Sequence, residues 1–254
     1  MALPWTGTLV PIGSGDALEL AVLCVKWGTK YSADYVNRLR NMVLRNLPLA
    51  HRFLCLTDDS TGLQPGIEAL PFPQTDLEYC WNKLLLFDPL PVDGVGLFFD
   101  LDVVITGDLT PLLATRPDDP FIGVVDWYRR DDPQYNASVM RFHLNRHRYV
   151  IESFRRKLGE GRLVKHREWD AYLGSHDKVV YWEGDRRYGG DQEWTSRQVY
   201  GPAEIGSHCF PAGTVMSYKK HGRRKLPAGC RVMVFHGAPK PHEVDIPYVT
   251  QHWR

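Results

Sequence analysis

The 254-residue sequence lacks several features that would place it in a common functional class. Its formal net charge is only +1, so no overall electrostatic field favours a nucleic-acid partner. The five cysteines form no CxxC pair, which argues against a zinc knuckle and against a disulfide framework. Neither the glycine-rich dinucleotide fingerprint nor the P-loop motif occurs. No apolar run approaches membrane-spanning length and no signal-peptide pattern is present, so we expect a cytoplasmic enzyme.

The clearest positive feature is a short apolar run, Val95 to Phe99, that ends in Asp100-Leu101-Asp102. Such a run is typical of a strand buried on both faces. Because side chains alternate along a strand, both carboxylates leave on the same side. Carboxylates this close repel each other unless a cation lies between them, and such oxygen ligands suit Mg²⁺ or Mn²⁺. The alternative is that one aspartate caps the following loop and the other is solvated.

The apolar patterns along the chain predict an α/β fold with a doubly wound sheet. They predict strands at 17–25, 52–57, 95–99, 121–127, 135–142 and 231–235, and helical segments at 32–47, 78–88, 150–158 and within 189–194. We expect residues 1–16 to form an N-terminal arm and residues 17–254 a single catalytic domain. Ligands of doubly wound sheets lie beyond the carboxyl ends of the strands. Lys26 to Tyr31, Asp58 and Asp100 to Asp102 should therefore share one crevice.

Several polar residues have two interpretations on the sequence alone. Lys83 is either an exposed lysine or a cation that reaches the crevice. His236 follows a late strand and is either hydrogen-bonded or functional. The basic residues between 141 and 167 are most simply a solvated helix face. Together with a second cluster at 219–225 they are also a candidate surface for an anionic acceptor or for peripheral membrane contact.

Four motifs occur in a fixed order: FFDLDVV, YNASVM, GGDQEW and VFHGAPKP. This ordered set resembles the retaining glycosyltransferases of family 8, over roughly residues 17 to 242. The resemblance implies a GT-A fold, in which helices flank a Rossmann-like mixed sheet. It implies a nucleotide-diphosphate sugar donor as well, with a UDP-sugar expected by analogy. It also implies a divalent metal, Mn²⁺ or Mg²⁺, and a carbohydrate or glycolipid acceptor; the oligomeric state is not implied.

The resemblance assigns roles to residues of this sequence. Asp100 and Asp102 match the metal-binding DxD motif and His236 matches the third protein ligand. Asp191, Gln192 and Asn136 match positions that line the donor sugar, and Asp126 is placed with them. Taken together, the crevice and the resemblance predict that the nucleotide contacts come from Lys26, Tyr31, Asp58, Lys83, Leu101, Gly237 and Lys240.

The last motif departs from the family pattern HxxGxxKP. Here glycine follows His236 at once and Lys240 comes two residues early, which makes the loop shorter. Two other functions remain alternatives. One is a haloacid-dehalogenase-like phosphatase with Asp100 as nucleophile, because its first motif is also an apolar strand that ends in DxD. The other is a non-catalytic sugar-nucleotide binder, which would not need both aspartates together with His236 and Lys240.

Overall fold

The structure is a computed structural model that describes residues 19–73, 77–129, 131–170 and 174–254. The predicted arm at 1–16 lies outside the described residues, and the domain boundaries stay a prediction. The strands are β1 Glu19–Lys26, β2 Arg52–Thr57, β3 Glu68–Pro71, β4 Gly94–Phe99, β5 Val103–Ile105, β6 Phe121–Val125, β7 Tyr135–His143, β8 Arg162–Asp170, β9 Gly174–Glu183, β10 Arg186–Tyr188, β11 Val215–Ser217 and β12 Val232–Val234.

The α-helices are α1 Ala33–Asn46, α2 Thr110–Ala114, α3 Arg148–Leu158, α4 Asp191–Val199, α5 Pro202–Ile205 and α6 Pro247–His252. In addition, 3-10 helices span Tyr79–Phe87 and Pro241–Glu243, and a π-helix spans Tyr218–Gly222. Within the described residues, no helix has the length and apolar character that crossing a bilayer requires.

A six-stranded mixed sheet forms the centre of the fold, in the order β3-β2-β1-β4-β7-β6. β1 pairs in parallel with β2 on one side and with β4 on the other. The sheet therefore has a topological switch point between β1 and β4, where a ligand crevice is expected. β7 runs antiparallel to both β4 and β6, so β6 points in the same direction as β1 and β4. The predicted α/β class and mixed sheet are confirmed.

Both faces of this sheet are buried. Along β1, Leu20, Val22 and Cys24 pack into one apolar cluster, whereas Leu23 and Val25 pack into the other. This alternation explains why the central strands read as continuous apolar runs rather than as an alternating pattern. The cluster on the first face includes α1, whose apolar stripe is buried as predicted.

A second, three-stranded sheet in the order β11-β12-β5 joins the end of the chain to its middle. β12 runs antiparallel to β5, with Val234 opposite Val103. The pairing continues one step further, because the Phe235 N–H donates to the Asp102 carbonyl oxygen at 3.0 Å. His236 is thereby brought beside the residues that follow β4.

A third sheet, β10-β9-β8, occupies residues 162–188. The interpretation of 141–167 as one basic helix face was wrong beyond Leu158, because the chain turns into β8 there. The β8 sequence RLVKHREWD follows neither the helical nor the strand period, so the pattern did not distinguish the two. The sheet is attached to the core through Trp81, whose indole N–H donates to the Val179 carbonyl oxygen at 3.0 Å.

Arg141 also differs from the expected solvated cluster. Its side chain is only 2% exposed, and its guanidinium donates to the backbone carbonyl oxygens of Leu113, Arg116 and Asp119. A buried guanidinium needs such partners because its desolvation is costly. Arg141 therefore holds the loop after α2 against β7.

We predict that Gly94→Ala destabilises the fold by about 2–4 kcal/mol. Gly94 begins β4 with φ +131°, and a Cβ there would lie 2.1 Å from the Glu19 carbonyl oxygen. Gly206→Ala is the matched control, because Gly206 has φ −61° and open space at its Cβ position. Its free energy of unfolding should change by less than about 0.5 kcal/mol. Urea unfolding of both variants is the measurement, and equal stabilities would contradict the strain assigned to Gly94.

Candidate active site

A pocket of about 350 Å³ opens at the carboxyl ends of β1 and β4, at the switch point of the central sheet. Its volume lies in the range of small-molecule sites. Most of the predicted site residues line it: Tyr31, Lys83, Asp100, Leu101, Asp102, Asn136, Asp191, Gln192, His236, Gly237 and Lys240. Six different parts of the chain thus contribute to one cavity, although their chemical roles stay predictions.

Lys83 lies between two carboxylates at the floor of this pocket. Its ammonium group is 2.9 Å from Asp100 Oδ1 and 3.3 Å from Asp191 Oδ2, and it also donates to the Ala137 carbonyl oxygen. Lys83 is only 8% exposed and Asp191 only 6%. The position of Lys83 agrees with the second interpretation, a cation that reaches the crevice.

Burial and charge act in opposite directions on this group. Burial would lower the pKa of Lys83, but the Asp100 and Asp191 carboxylates more than offset it, so the pKa lies above its usual value. Burial raises the pKa of Asp100, against the lowering effect of Lys83, and the nearby Asp102 charge raises it further. Lys83 therefore supplies the positive charge that offsets the repulsion between Asp100 and Asp191 in this pocket.

Asp191 retains unused hydrogen-bonding capacity. Within the described part of the chain, its buried Oδ2 accepts no hydrogen bond, although Lys83 lies at ion-pair distance. Asp191 is the first residue of α4, where the helix dipole favours a negative charge. A buried oxygen of this kind is suited to accept a hydrogen bond from a ligand hydroxyl.

Asp102 has its own cation and its own hydroxyl donor. Its Oδ2 accepts from the Tyr31 hydroxyl at 2.9 Å and from the Lys240 ammonium group at 2.5 Å. Burial raises the pKa of Tyr31, and the Asp102 charge adds to this, so the phenol stays protonated and donates. Lys240 also lies over the Tyr31 ring, with its nitrogen 5.3 Å from the ring centroid.

His236 lines the pocket, but its ring contacts Ser217 and Trp127, which do not line it. Its Nε2 lies 2.7 Å from Ser217 Oγ, and its ring stacks on Trp127 with centroids 5.9 Å apart. Burial, together with the charge of Lys219, lowers its pKa, so the ring is neutral at neutral pH. A neutral imidazole is the form that binds a metal.

Gln192 connects the pocket to the end of β6. Its Oε1 accepts from the Ala137 N–H at 3.2 Å, and its Nε2 donates to Asp126 Oδ2 at 2.6 Å. Asp126 does not itself line this pocket and contacts it through Gln192. Asn136 lines the pocket while its Oδ1 accepts from the Ser138 N–H.

Two predicted nucleotide contacts lie elsewhere, so the expectation that they share the crevice is corrected. The Lys26 ammonium group donates to the Asp59 carbonyl oxygen, because alternation along β1 turns this side chain away from the pocket. Asp58 accepts from the Gly28 N–H at 2.8 Å and thereby closes the loop after β1. Asp58 thus forms an ordinary turn at the end of β2.

The lining also includes Trp27 and Lys30, which lie within the segment 26–31 predicted to reach the crevice, and Tyr79, Cys80 and Val179, which were not predicted. Trp27 and Lys30 belong to the polar and aromatic loop after β1, and that position was a usable signal. Val179 comes from β9, a strand that the sequence analysis did not predict. Nothing local marks it as a pocket residue.

Whether a divalent metal can bind in this pocket depends on Asp100 and Asp102. Among the described residues, no group of three or more His, Cys, Asp or Glu side chains is arranged to hold a metal ion. The predicted cage of Asp100, Asp102 and His236 is thus not assembled, because Lys240 and Tyr31 bind Asp102 while Ser217 and Trp127 hold His236. Mg²⁺, however, is commonly bound through one or two carboxylates plus substrate phosphates. The carboxylate pair at the pocket fits that mode of binding.

Comparison with solved structures places the fold among glycosyltransferases. The galactosyltransferase LgtC, solved in complex with donor and acceptor sugar analogues, is 13% identical and has a TM-score of 0.58; the match covers 92% of this chain and 96% of LgtC. GlyE of Streptococcus pneumoniae TIGR4 is 14% identical with a TM-score of 0.56, over 93% of this chain and 61% of that one. The bifunctional glycosyltransferase WbbM is 13% identical with a TM-score of 0.55 and matches 95% of this chain, which spans about half of WbbM (51%).

No protein-family model matches the chain, and no curated protein sequence matches it. At identities of 13–14%, the structural similarity establishes the fold alone, which is the GT-A fold of these glycosyltransferases. The resemblance inferred from the four motifs is confirmed at that level.

We predict that Lys83→Met destabilises the protein by about 3–5 kcal/mol at neutral pH, since it leaves the buried Asp191 and the partly buried Asp100 without their cation. The difference from the wild type should narrow as the pH falls toward about 4, because protonated carboxyls carry no charge that needs a partner. Burial already holds the pKa of Asp100 above its usual value, which favours this protonation in the folded state.

Lys225→Met is the control, because Lys225 is exposed and lies outside the pocket. Chemical denaturation across the pH range measures the free energy of unfolding of the wild type and of both variants. If the Lys83→Met variant were as stable as the wild type at neutral pH, the charge balance described here would be wrong.

Proposed function

We propose that this chain is a metal-dependent glycosyltransferase that moves a sugar from a nucleotide-diphosphate sugar to a carbohydrate or glycolipid acceptor. We further propose a UDP-sugar as the donor and retention of the anomeric configuration, because the four sequence motifs resemble a retaining family. One observation carries the proposal. Asp100, Asp102, Asp191 and two lysines converge in one pocket at the switch point of a GT-A sheet.

The charges of the pocket suit a sugar diphosphate. Lys240 is the cation assigned to the diphosphate, and it lies at the pocket surface with only 15% of its side chain exposed. A divalent cation bound by Asp100 and Asp102, with His236 as predicted third ligand, would neutralise charge on the departing diphosphate, which is worth several kcal/mol in metal-assisted reactions. Lys83 stays paired with Asp100 and Asp191 at the floor of the pocket.

The sugar itself is assigned to the side of the pocket formed by α4 and β7. Asp191 offers the buried Oδ2 that accepts no hydrogen bond among the described residues, and a sugar hydroxyl can donate to it. Gln192 is fixed at both ends by Asp126 and by the Ala137 backbone, so its position requires no ordering when a substrate binds. Asn136 lies on the neighbouring strand as a further polar contact.

The acceptor class rests on the comparison. LgtC was solved with donor and acceptor sugar analogues together. A shared fold does not transfer a substrate, so the acceptor must be tested directly. Incubation with UDP-sugars and a panel of glycosides, followed by NMR of the product anomer, tests transfer and retention in one experiment.

We predict that Asp102→Asn lowers kcat for sugar transfer or donor hydrolysis by about 10²-fold or more, the loss typical of removing one electrostatic contact to the transition state. Asp34→Asn on the exposed face of α1 is the matched control and should leave kcat unchanged. The assay uses UDP-sugars with Mn²⁺. Full turnover in the Asp102→Asn variant would remove the metal-binding role of this residue.

The same assay distinguishes the alternatives. Release of phosphate from phosphomonoesters through an Asp100 aspartyl-phosphate would identify the phosphatase. Tight nucleotide binding without turnover against any acceptor would identify the binder.

We predict opposite effects of Lys240→Met on two ligands. Without its lysine partner, Asp102 should bind Mn²⁺ more tightly in the absence of nucleotide, whereas UDP should bind more weakly because a cation for the diphosphate is lost. Titration calorimetry with Mn²⁺ alone and with UDP measures both, and Lys225→Met is the control. The prediction assumes that Lys240 leaves Asp102 to bind the diphosphate. If both affinities changed in the same direction, that assumption would be wrong.

A further inference from the structure

A second cavity of about 540 Å³ lies beside the first, at the carboxyl end of β6. β6 points in the same direction as β1 and β4, so this cavity opens at the same edge of the sheet as the proposed donor pocket. Its other wall is the segment 206–216, which is bonded to the edge of β6: the Gly123 N–H donates to the His208 carbonyl oxygen, and the Phe210 N–H donates to the Gly123 carbonyl oxygen.

The lining of the second cavity is mainly apolar. Val124, Val125, Phe210, Val215 and Met216 supply much of its surface. Neither a lysine, an arginine nor a carboxylate side chain of the described residues lines it, in contrast to the donor pocket. A nucleotide or a free sugar would leave its polar groups without partners there, which is costly. The chemistry of the walls therefore selects an apolar group.

The two cavities share a boundary at the residues that follow β6. Trp127 lines the second cavity and stacks on His236, which lines the donor pocket. The preceding residue, Asp126, is hydrogen-bonded to Gln192 of the donor pocket. Lys220 donates to the Trp127 carbonyl oxygen at 2.7 Å and so stabilises this boundary. A molecule that entered the donor pocket beside Trp127 could extend directly into the apolar cavity.

We propose that the second cavity holds the apolar part of the acceptor, so that the acceptor is a sugar or hydroxyl compound attached to an alkyl or aryl group. This inference rests on the proposed glycosyl transfer, because it gives the acceptor class for the same site. The acceptor's hydroxyl lies toward the donor pocket and its apolar group lies against Val125, Phe210 and Met216.

The test uses n-alkyl β-D-glucosides from methyl to octyl as probes, each below its micelle concentration, with titration calorimetry as readout. Burial of a methylene group tightens binding about fourfold. We expect octyl glucoside to bind at least about tenfold more tightly than butyl glucoside, with a negative heat-capacity change. An affinity that does not depend on chain length overturns the proposal.

Two variants locate the binding. Ala212→Trp fills the cavity from an exposed loop position, and Val125→Glu places a charge in its wall at a residue that is 36% exposed. Both should abolish the chain-length dependence, whereas Ala228→Trp, at an exposed position outside the cavity, should retain it. If the octyl affinity survives in both cavity variants, the chain binds elsewhere and the proposal is wrong.

UDP binding, measured on the same samples, reports both the folding of each variant and the proposed function. Absence of UDP binding in the wild type would overturn the glycosyltransferase proposal, while the alkyl series still reports on the cavity. Sedimentation of the wild type and the variants covers the remaining occupant, a second copy of this chain. A dimer that Ala212→Trp disrupts, without any chain-length effect, would identify an interface and overturn the apolar acceptor.

Discussion

The site depends on the neutralisation of three carboxylates, two of them buried, by two lysines. Asp100 and Asp191 share Lys83, and Asp102 pairs with Lys240. Without these cations the carboxyl end of β4 would carry mutually repelling charges against an apolar strand, which is unfavourable. The two ion pairs differ in where their lysines lie. Lys83 lies beneath the pocket on a helix that is packed into the core, whereas Lys240 comes from a loop and reaches Asp102 from the pocket surface.

This charge arrangement is possible only because distant segments meet. The 3-10 helix that carries Lys83 precedes β4 in the chain, α4 carries Asp191, and the loop after β12 carries Lys240. The hydrogen bond from Phe235 to the Asp102 backbone aligns that loop with the aspartates. The small β11-β12-β5 sheet thus positions the last part of the site, while the large sheet positions the first. Neither sheet alone brings both lysines to the carboxylates.

Much of this arrangement could be predicted from the sequence, for physical reasons. Strands buried on both faces give uninterrupted apolar runs, and the DxD pair follows such a run, so β1, β2 and β4 and the crevice at their ends were recognisable. The motif order located most of the lining. Pairings between residues far apart in sequence were not recognisable, because no local pattern specifies that Lys240 meets Asp102 or that Lys83 lies between two acids. The orientation of Lys26 and the burial of Arg141 depend on neighbours in space, and β8 to β10 lack a distinctive period.

One wall of the donor pocket belongs to the β10-β9-β8 sheet, which shares no strand with the central sheet. Val179 reaches the pocket from this small unit, and Tyr181 of β9 packs edge-on against Phe154 of α3 with ring centroids 5.1 Å apart. The unit is therefore anchored by aromatic packing rather than by the hydrogen-bond ladder that holds the aspartates. Substitutions in this appended sheet can therefore reshape one wall of the pocket while the strand that leads to Asp100 and Asp102 stays unchanged. Exchanging residues 162–188 between related enzymes would accordingly be a rational route to altered sugar preference.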